Sequence, residues 1–357
     1  MPQHSPVSAL DRDLDDAIDR AVDGISAHVG RAGREAAPLL EGARRAVRGG
    51  KRLRARLCLA ATAACGGEPN VDVAAALELF QAAALVHDDL MDAADTRRGE
   101  PSAHRWFADR GPGTATDPAL RERLGEGGAI LLGDLLLAWS ATTLTSATAA
   151  LPLERRLRLV DLFGAMSSEV AFGQYLDLLA TLAPWGDEEA LDRAWRVIES
   201  KTARYSVELP LVIGARIAGA DDVVVDWLAR LGHEVGVAFQ LRDDVLGVLG
   251  EPEVTGKPSG DDIREGKRTV LLELAYGDAT PDQRVTLERC VGRGDVTADE
   301  VEAVRSILRD SGALARVELL ITEHADRAEE LLADAPTGVG DTAELRELVA
   351  AALDRAS

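Results

Sequence analysis

The chain has 357 residues, 46% of them hydrophobic and only 4% aromatic, which is ample apolar content for the core of one large domain or two ordinary ones. Its 61 acidic and 40 basic residues leave a formal net charge of -21, which excludes nonspecific binding to nucleic acid or to an anionic membrane surface by like-charge repulsion. Few aromatic residues beside abundant Ala, Leu, Arg and Glu predict an all-α protein, because aromatic and β-branched side chains carry most strand preference.

Met1 to Leu14 is polar and acidic, and no uninterrupted apolar stretch reaches about 18 residues, so neither a leader nor a membrane span is expected and the cytoplasm is the expected location. Helical periodicity then runs through 10–29, 52–65, 71–93, 127–150, 153–182, 188–205, 206–219 and 222–249, with further segments after Asp262. Breaks fall at the Gly- and Pro-bearing stretches 66–70, 111–117, 183–187, 250–260 and 335–340. None resembles an interdomain linker and no period repeats, so one helical domain over 1–357 is predicted, with about the first ten residues expected to be disordered. Cys58, Cys65 and Cys290 show no metal-type spacing and are expected to be buried thiols. The six histidines form no HExxH-like pattern, so any metal here uses oxygen ligands.

The stretch "LVHDDLMDAADTRRGEP" (85–101) sets carboxylates at the end of an apolar helical run. Asp88 and Asp92 share one helix face, about 6 Å apart along the axis, with Asp89 beside them. A solvated acidic face is the ordinary reading of such a cluster. The apolar "FQAAALV" before it argues instead for carboxylates that are paired or cation-bound. "FQLRDDVLG" (239–247) repeats the arrangement with Asp243 and Asp244. Magnesium takes oxygen ligands and is usually completed by water and substrate phosphates, so two such clusters suit a magnesium-bound diphosphate.

Basic groups recur near both clusters, in "GGKRLR" (49–54), "TRRG" (96–99), "KTARYS" (201–206) and "TGKPSGDDIREGKRT" (255–269). Each is weak alone, since Lys and Arg are mostly solvated surface residues and GGK lacks the full phosphate-loop pattern. Together with "DDLMD", "RRGEPSAH", "GQYLDL" and "FQLRDD", in this order over 49–269, they resemble the trans-type isoprenyl diphosphate synthases, or polyprenyl synthetases.

The resemblance implies a single-domain bundle of long helices around a deep central cavity, usually dimeric, with the acidic motifs facing each other at its mouth. It implies magnesium, three ions per site, ligated by Asp88, Asp92 and Asp243, with Asp89, Asp177, Asp244 and Asp262 supporting through water or neighbouring bonds. Arg97, Lys201 and Lys257 would hold the allylic diphosphate, and Lys267 is a further substrate-binding candidate. Lys51, Arg54, Gln81 and Arg98 would hold isopentenyl diphosphate. Lys201, through its backbone carbonyl, Thr202 and Gln240 would stabilise the allylic cation.

Two departures stand out. Ala55 replaces a frequent proline, a change expected to be neutral because that proline mainly starts a helix. Gly247 replaces the usual third aspartate of the second motif, with reduced magnesium affinity expected there. "DDVLGVLGE", with Glu251 eight residues after Asp243, also loosely resembles the class I terpene cyclase motif. A catalytically silent subunit of a heteromeric synthase is the other alternative. Ala83 and Ala84 leave room for a prenyl tail, and Phe80, on the order of 12 Å below Asp88 by helix rise, is either its floor or core packing. The expected product is geranylgeranyl diphosphate, with farnesyl or longer diphosphates as alternatives.

Overall fold

The structure, a computed structural model, describes residues 9–110, 117–250 and 260–354. These are almost entirely helical and form two compact units, one of Met1–Ala63, Gly67–Phe163 and Arg216–Gly219, the other of Ala64–Gly66, Gly164–Ala215 and Ala220–Ser357. The all-α expectation is met.

In the first unit, α1 (Ala9–Ala32) buries Leu14, Ala17, Ile18, Val22 and Ile25, the three- and four-residue spacing of an amphipathic helix. A 3-10 turn (Arg34–Ala36), α2 (Ala37–Ala46) and α3 (Leu53–Ala64) lead to α4 (Val71–Met91). The Asn70 side chain caps α4 by accepting from Val73 N–H, and its amide donates to the Ala147 carbonyl at the far end of α6. A two-stranded hairpin, β1 (Thr96–Arg97) and β2 (Glu100–Pro101), precedes α5 (Ala103–Ala108) and α6 (Pro118–Ala147). The last of these starts ahead of the predicted residue 127. Asp117 caps it by accepting from Ala119 and Leu120 N–H, and its polar first turns need no apolar face to be helical. Glycines let neighbours lie directly on α6: a Cβ at Gly128 would stand 2.8 Å from Cβ of Phe107 on α5. By length and composition α6 could cross a membrane; it buries Ala129, Leu132, Leu136 and Leu144 on one side and leaves Leu120, Ile130 and Leu131 exposed on another.

Residues 153–163 of α7 (Leu153–Leu182) belong to the first unit and its remainder to the second. From there α8 (Ala190–Val197), a π-helix (Ile198–Glu208) and α9 (Leu209–Ala218), of which Arg216–Ala218 belong to the first unit, run without a break, where two α-helices meeting at residues 205–206 were predicted. The widened turn packs against glycines. A Cβ at Gly173 of α7 would stand 2.7 Å from the Lys201 nitrogen, and one at Gly236 of α10 (Asp222–Leu249) would stand 2.6 Å from the Ala203 Cα.

Beyond α10 come α11 (Asp261–Glu265), α12 (Val270–Asp278), α13 (Pro281–Cys290), α14 (Ala298–Asp310), α15 (Ala313–Ala333) and α16 (Ala343–Leu353). Their core joins Leu241, Val245 and Val248 to Leu271, Leu272, Val304, Leu308 and Val317. Capping boxes at Thr280/Gln283 and Thr297/Glu300 start α13 and α14, each cap being worth about 1 kcal/mol. Cys58 and Cys290 are buried as expected, while Cys65 is half-buried. Burial raises the Cys58 thiol to about 12, and burial with the Asp221 charge raises Cys65 to about 11, so both stay protonated and unreactive.

Candidate active site

In the first unit, α4 carries Gln81, Asp88 and Asp89, with Asp92 as its C-cap. Asp89 is buried and accepts from Arg97 Nε at 2.8 Å, with Arg97 Nη2 on the same oxygen and 3.8 Å from Asp88 Oδ2. A buried carboxylate needs such a partner, so Asp89 anchors Arg97 beside Asp88. Arg98 and Gly99 are the two turn residues of the hairpin, with φ of 54° and 75°, the both-positive pattern of a type I′ turn. Arg97 and Arg98 therefore leave the ribbon in different directions, and Arg98 donates instead to the Arg48 carbonyl.

That contact accounts for the paired glycines before Lys51. Gly49 and Gly50 have φ of 68° and 90°, and a Cβ at Gly50 would meet the Arg98 guanidinium at 2.8 Å. Arg52 and Ala93 also have positive φ, each a cost on the order of 1–3 kcal/mol, so strained backbone collects around these two basic motifs. Burial, and after it the Arg52 and Arg97 charges, lowers the Arg98 pKa, while Glu78 and Asp89 oppose the shift. Three guanidinium groups so near one another form a local positive field suited to an anion.

The sequence reading missed Glu78. It is buried on α4, accepts from Arg52 Nη1 at 3.3 Å, and accepts from Ala55 N–H at 3.3 Å. Proline has no N–H, so Ala55 is more than a neutral replacement: it supplies a bond that ties α3 to the carboxylate holding Arg52. The missed signal was a glutamate inside an apolar run. Lys51 is exposed and Arg54 half-buried at the start of α3.

In the second unit, Lys201 and Thr202 lie in the π-helix, and Lys201 Nζ donates to Asp177 of α7 at 2.6 Å. Gln240 Nε2 donates to Asp244 Oδ1 at 2.7 Å, leaving the buried Oδ2 without a hydrogen-bond partner. Burial raises the Asp244 pKa well above the ordinary carboxylate value; the Gln240 bond opposes this, and the charges of Asp262, Asp243 and Asp177 reinforce it. Its neighbour Asp243 is exposed. Asp262 fills the space beside Gly247, where a Cβ would stand 2.9 Å from Oδ1 and closer to Oδ2. Lys267 Nζ lies 3.7 Å from Asp262 and 2.6 Å from Glu265, which the sequence reading also missed. Lys257 and Glu251 lie outside the described residues.

Each unit thus holds an aspartate-bearing helix end with cationic partners of its own, on an all-α frame.

The polyprenyl synthetase profile matches residues 37–308. The chain is 34% identical over 265 residues to a geranylgeranyl diphosphate synthase of Mycobacterium tuberculosis, covering 74% of this chain and 69% of that one. It is 31% identical over 306 residues to a geranylfarnesyl diphosphate synthase of Aeropyrum pernix, covering 84% and 88%. Among solved structures, a geranylgeranyl pyrophosphate synthase from Corynebacterium glutamicum, complexed with isoprenyl diphosphate and magnesium, superposes with a TM-score of 0.88 at 33% identity over 98% of this chain and 100% of that one. The chain belongs to the polyprenyl synthetase family.

Proposed function

We propose that the protein is a trans-prenyltransferase that condenses isopentenyl diphosphate with an allylic diphosphate (dimethylallyl, geranyl or farnesyl) and releases geranylgeranyl diphosphate as its main product. The observation that carries this reading is the pair of aspartate-bearing helix ends with separate cationic partners, within a span shared with named synthases. The profile crosses both compact units, which supports reading the chain as one enzyme; its expected location is the cytoplasm.

Magnesium suits the donors present. They are carboxylate oxygens, and Asp244 keeps one buried oxygen without a hydrogen bond. No three His, Cys, Asp or Glu side chains among the described residues converge on one point, and magnesium needs only one or two carboxylates when water and phosphate complete its shell. Asp88, Asp92 and Asp243 would hold the ions, three per site, with Asp89, Asp177, Asp244 and Asp262 supporting them. When bound, magnesium would offset charge on the leaving diphosphate.

Arg97, Lys201 and Lys257 bind and orient the allylic diphosphate as its C–O bond breaks and the electron pair leaves with oxygen, with Lys267 as a further basic group for the substrates. The Lys201 carbonyl, the Thr202 hydroxyl and the Gln240 amide oxygen face the positive charge left on carbon. Lys51, Arg54, Gln81 and Arg98 hold isopentenyl diphosphate, whose double-bond electrons form the new C–C bond. The proton then lost goes to the departed diphosphate.

The test is incubation with magnesium, isopentenyl diphosphate and farnesyl diphosphate, followed by chain-length analysis. A twenty-carbon diphosphate is expected, together with a loss in kcat of at least about 100-fold in Asp88→Ala with its helical content intact. A cyclic hydrocarbon would point to a cyclase, and no turnover to a silent subunit. Near-normal rates in Asp88→Ala would remove that residue from the mechanism.

A further inference from the structure

His87 precedes Asp88 on α4 and has no part in the reaction above. Its imidazole fills a notch on α6: a Cβ at Gly133 would stand 2.5 Å from His87 Cε1 and closer still to Nε2 and Cδ2. The ring's Nε2 reaches the Ile130 carbonyl at 3.2 Å and lies 3.7 Å from Asp134 Oδ1. A carbonyl oxygen only accepts, so Nε2 carries the proton in this bond. One turn of α6 therefore grips the ring by a missing side chain, a carbonyl and a carboxylate. A ring that only filled space would need neither polar contact.

Successive residues on an α-helix are turned by about 100°, so fixing the direction of one side chain fixes that of the next. We propose that His87, seated in the Gly133 notch, is a positioning residue that sets the rotation of α4 about its axis and so aims Asp88, and Asp92 one turn later, at the metal. This rests on reading those two aspartates as metal ligands. It also accounts for glycine at 133, since any larger residue there expels the ring.

The experiment uses the full chain. Binding of Mn2+ in the presence of inorganic diphosphate is followed by electron paramagnetic resonance, alongside circular dichroism and Tm. In His87→Ala, affinity is expected to fall about 10-fold, the usual scale for groups that orient ligands, with helical content kept. His87→Gln, which can still donate to the Ile130 carbonyl, recovers most of it. Gly133→Ala weakens binding comparably, and the double variant Gly133→Ala/His87→Ala binds no worse than His87→Ala, because the expelled ring is gone. Wild-type affinity in His87→Ala, or a lowered Tm with unchanged affinity, overturns the proposal. Asp88→Ala measured in parallel separates the two readings: normal Mn2+ binding there overturns metal ligation itself, whereas lost binding there beside normal binding in His87→Ala overturns only the positioning.

Discussion

Gly247 stands where the family pattern carries an aspartate, and the space that side chain would take holds the Asp262 carboxylate. The expected weakening of magnesium binding therefore has a structural counterweight, because a carboxylate is present there from another helix. Restoring the family residue should do harm: Gly247→Asp is expected to lower kcat/KM about 10-fold or more by displacing Asp262, and a gain in activity would refute this account. Phe80 is 2% exposed and meets Phe163 edge-to-face, with ring centroids 5.7 Å apart. Phe80→Ala should cost about 3–5 kcal/mol of stability by leaving a cavity and should lengthen the product beyond twenty carbons. Destabilisation with an unchanged product would reduce Phe80 to packing.

At the scale of elements, two devices recur. Glycines bring backbones together, as at Gly173 and Gly236 around the π-helix that carries Lys201 and Thr202, and π-type turns commonly mark functional sites. Long-range ion pairs then fix helices against each other. Glu234 of α10 accepts from His324 Nδ1 at 2.6 Å and from Arg327 Nε at 2.8 Å, both on α15. Burial lowers the His324 pKa below its ordinary 6.5 against the opposing pull of Glu234, with Arg327 and His233 adding to the lowering. Burial raises Glu234, but the Arg327 and His324 bonds bring it below its ordinary value. With both groups depressed on folding, the unfolded chain takes up protons first as pH falls. The stability they contribute is present above the unfolded values and lost below them. The Tm should therefore fall between pH 7 and pH 5, and His324→Gln should flatten that slope; an unaltered slope would rule His324 out as its source.

At the scale of the molecule, α7 presents Phe172, Tyr175, Leu179 and Leu182 to solvent, 69%, 59%, 39% and 76% exposed, at spacings that form one apolar stripe. Contiguous exposed apolar surface marks an interaction site, and in the dimer that the family resemblance implies a second copy of the chain would cover it. Sedimentation should give twice the 37.9 kDa chain mass, and Phe172→Asp with Leu182→Asp should shift the protein toward the monomer. A monomeric parent chain would rule out the dimer. With a net charge of -21, the proposed diphosphate binding would be local to clusters such as Arg52, Arg97 and Arg98 and not a property of the whole surface.

The sequence by itself determined the helical class, the family motifs and the aspartates at the ends of α4 and near the end of α10, because periodicity and residue type are local properties of a chain. It did not reveal Glu78 bonding Ala55, Asp262 standing beside Gly247, or His87 seated at Gly133. These depend on which helix lies against which, and a glycine's worth is visible only in the neighbour that would collide with a Cβ. Nor did it reveal the π-helix, since a widened turn with ordinary residues leaves the apolar pattern nearly intact. Local chemistry is written in the order of residues; the aim of each carboxylate is set by packing across distant segments, and only the tertiary structure decides it.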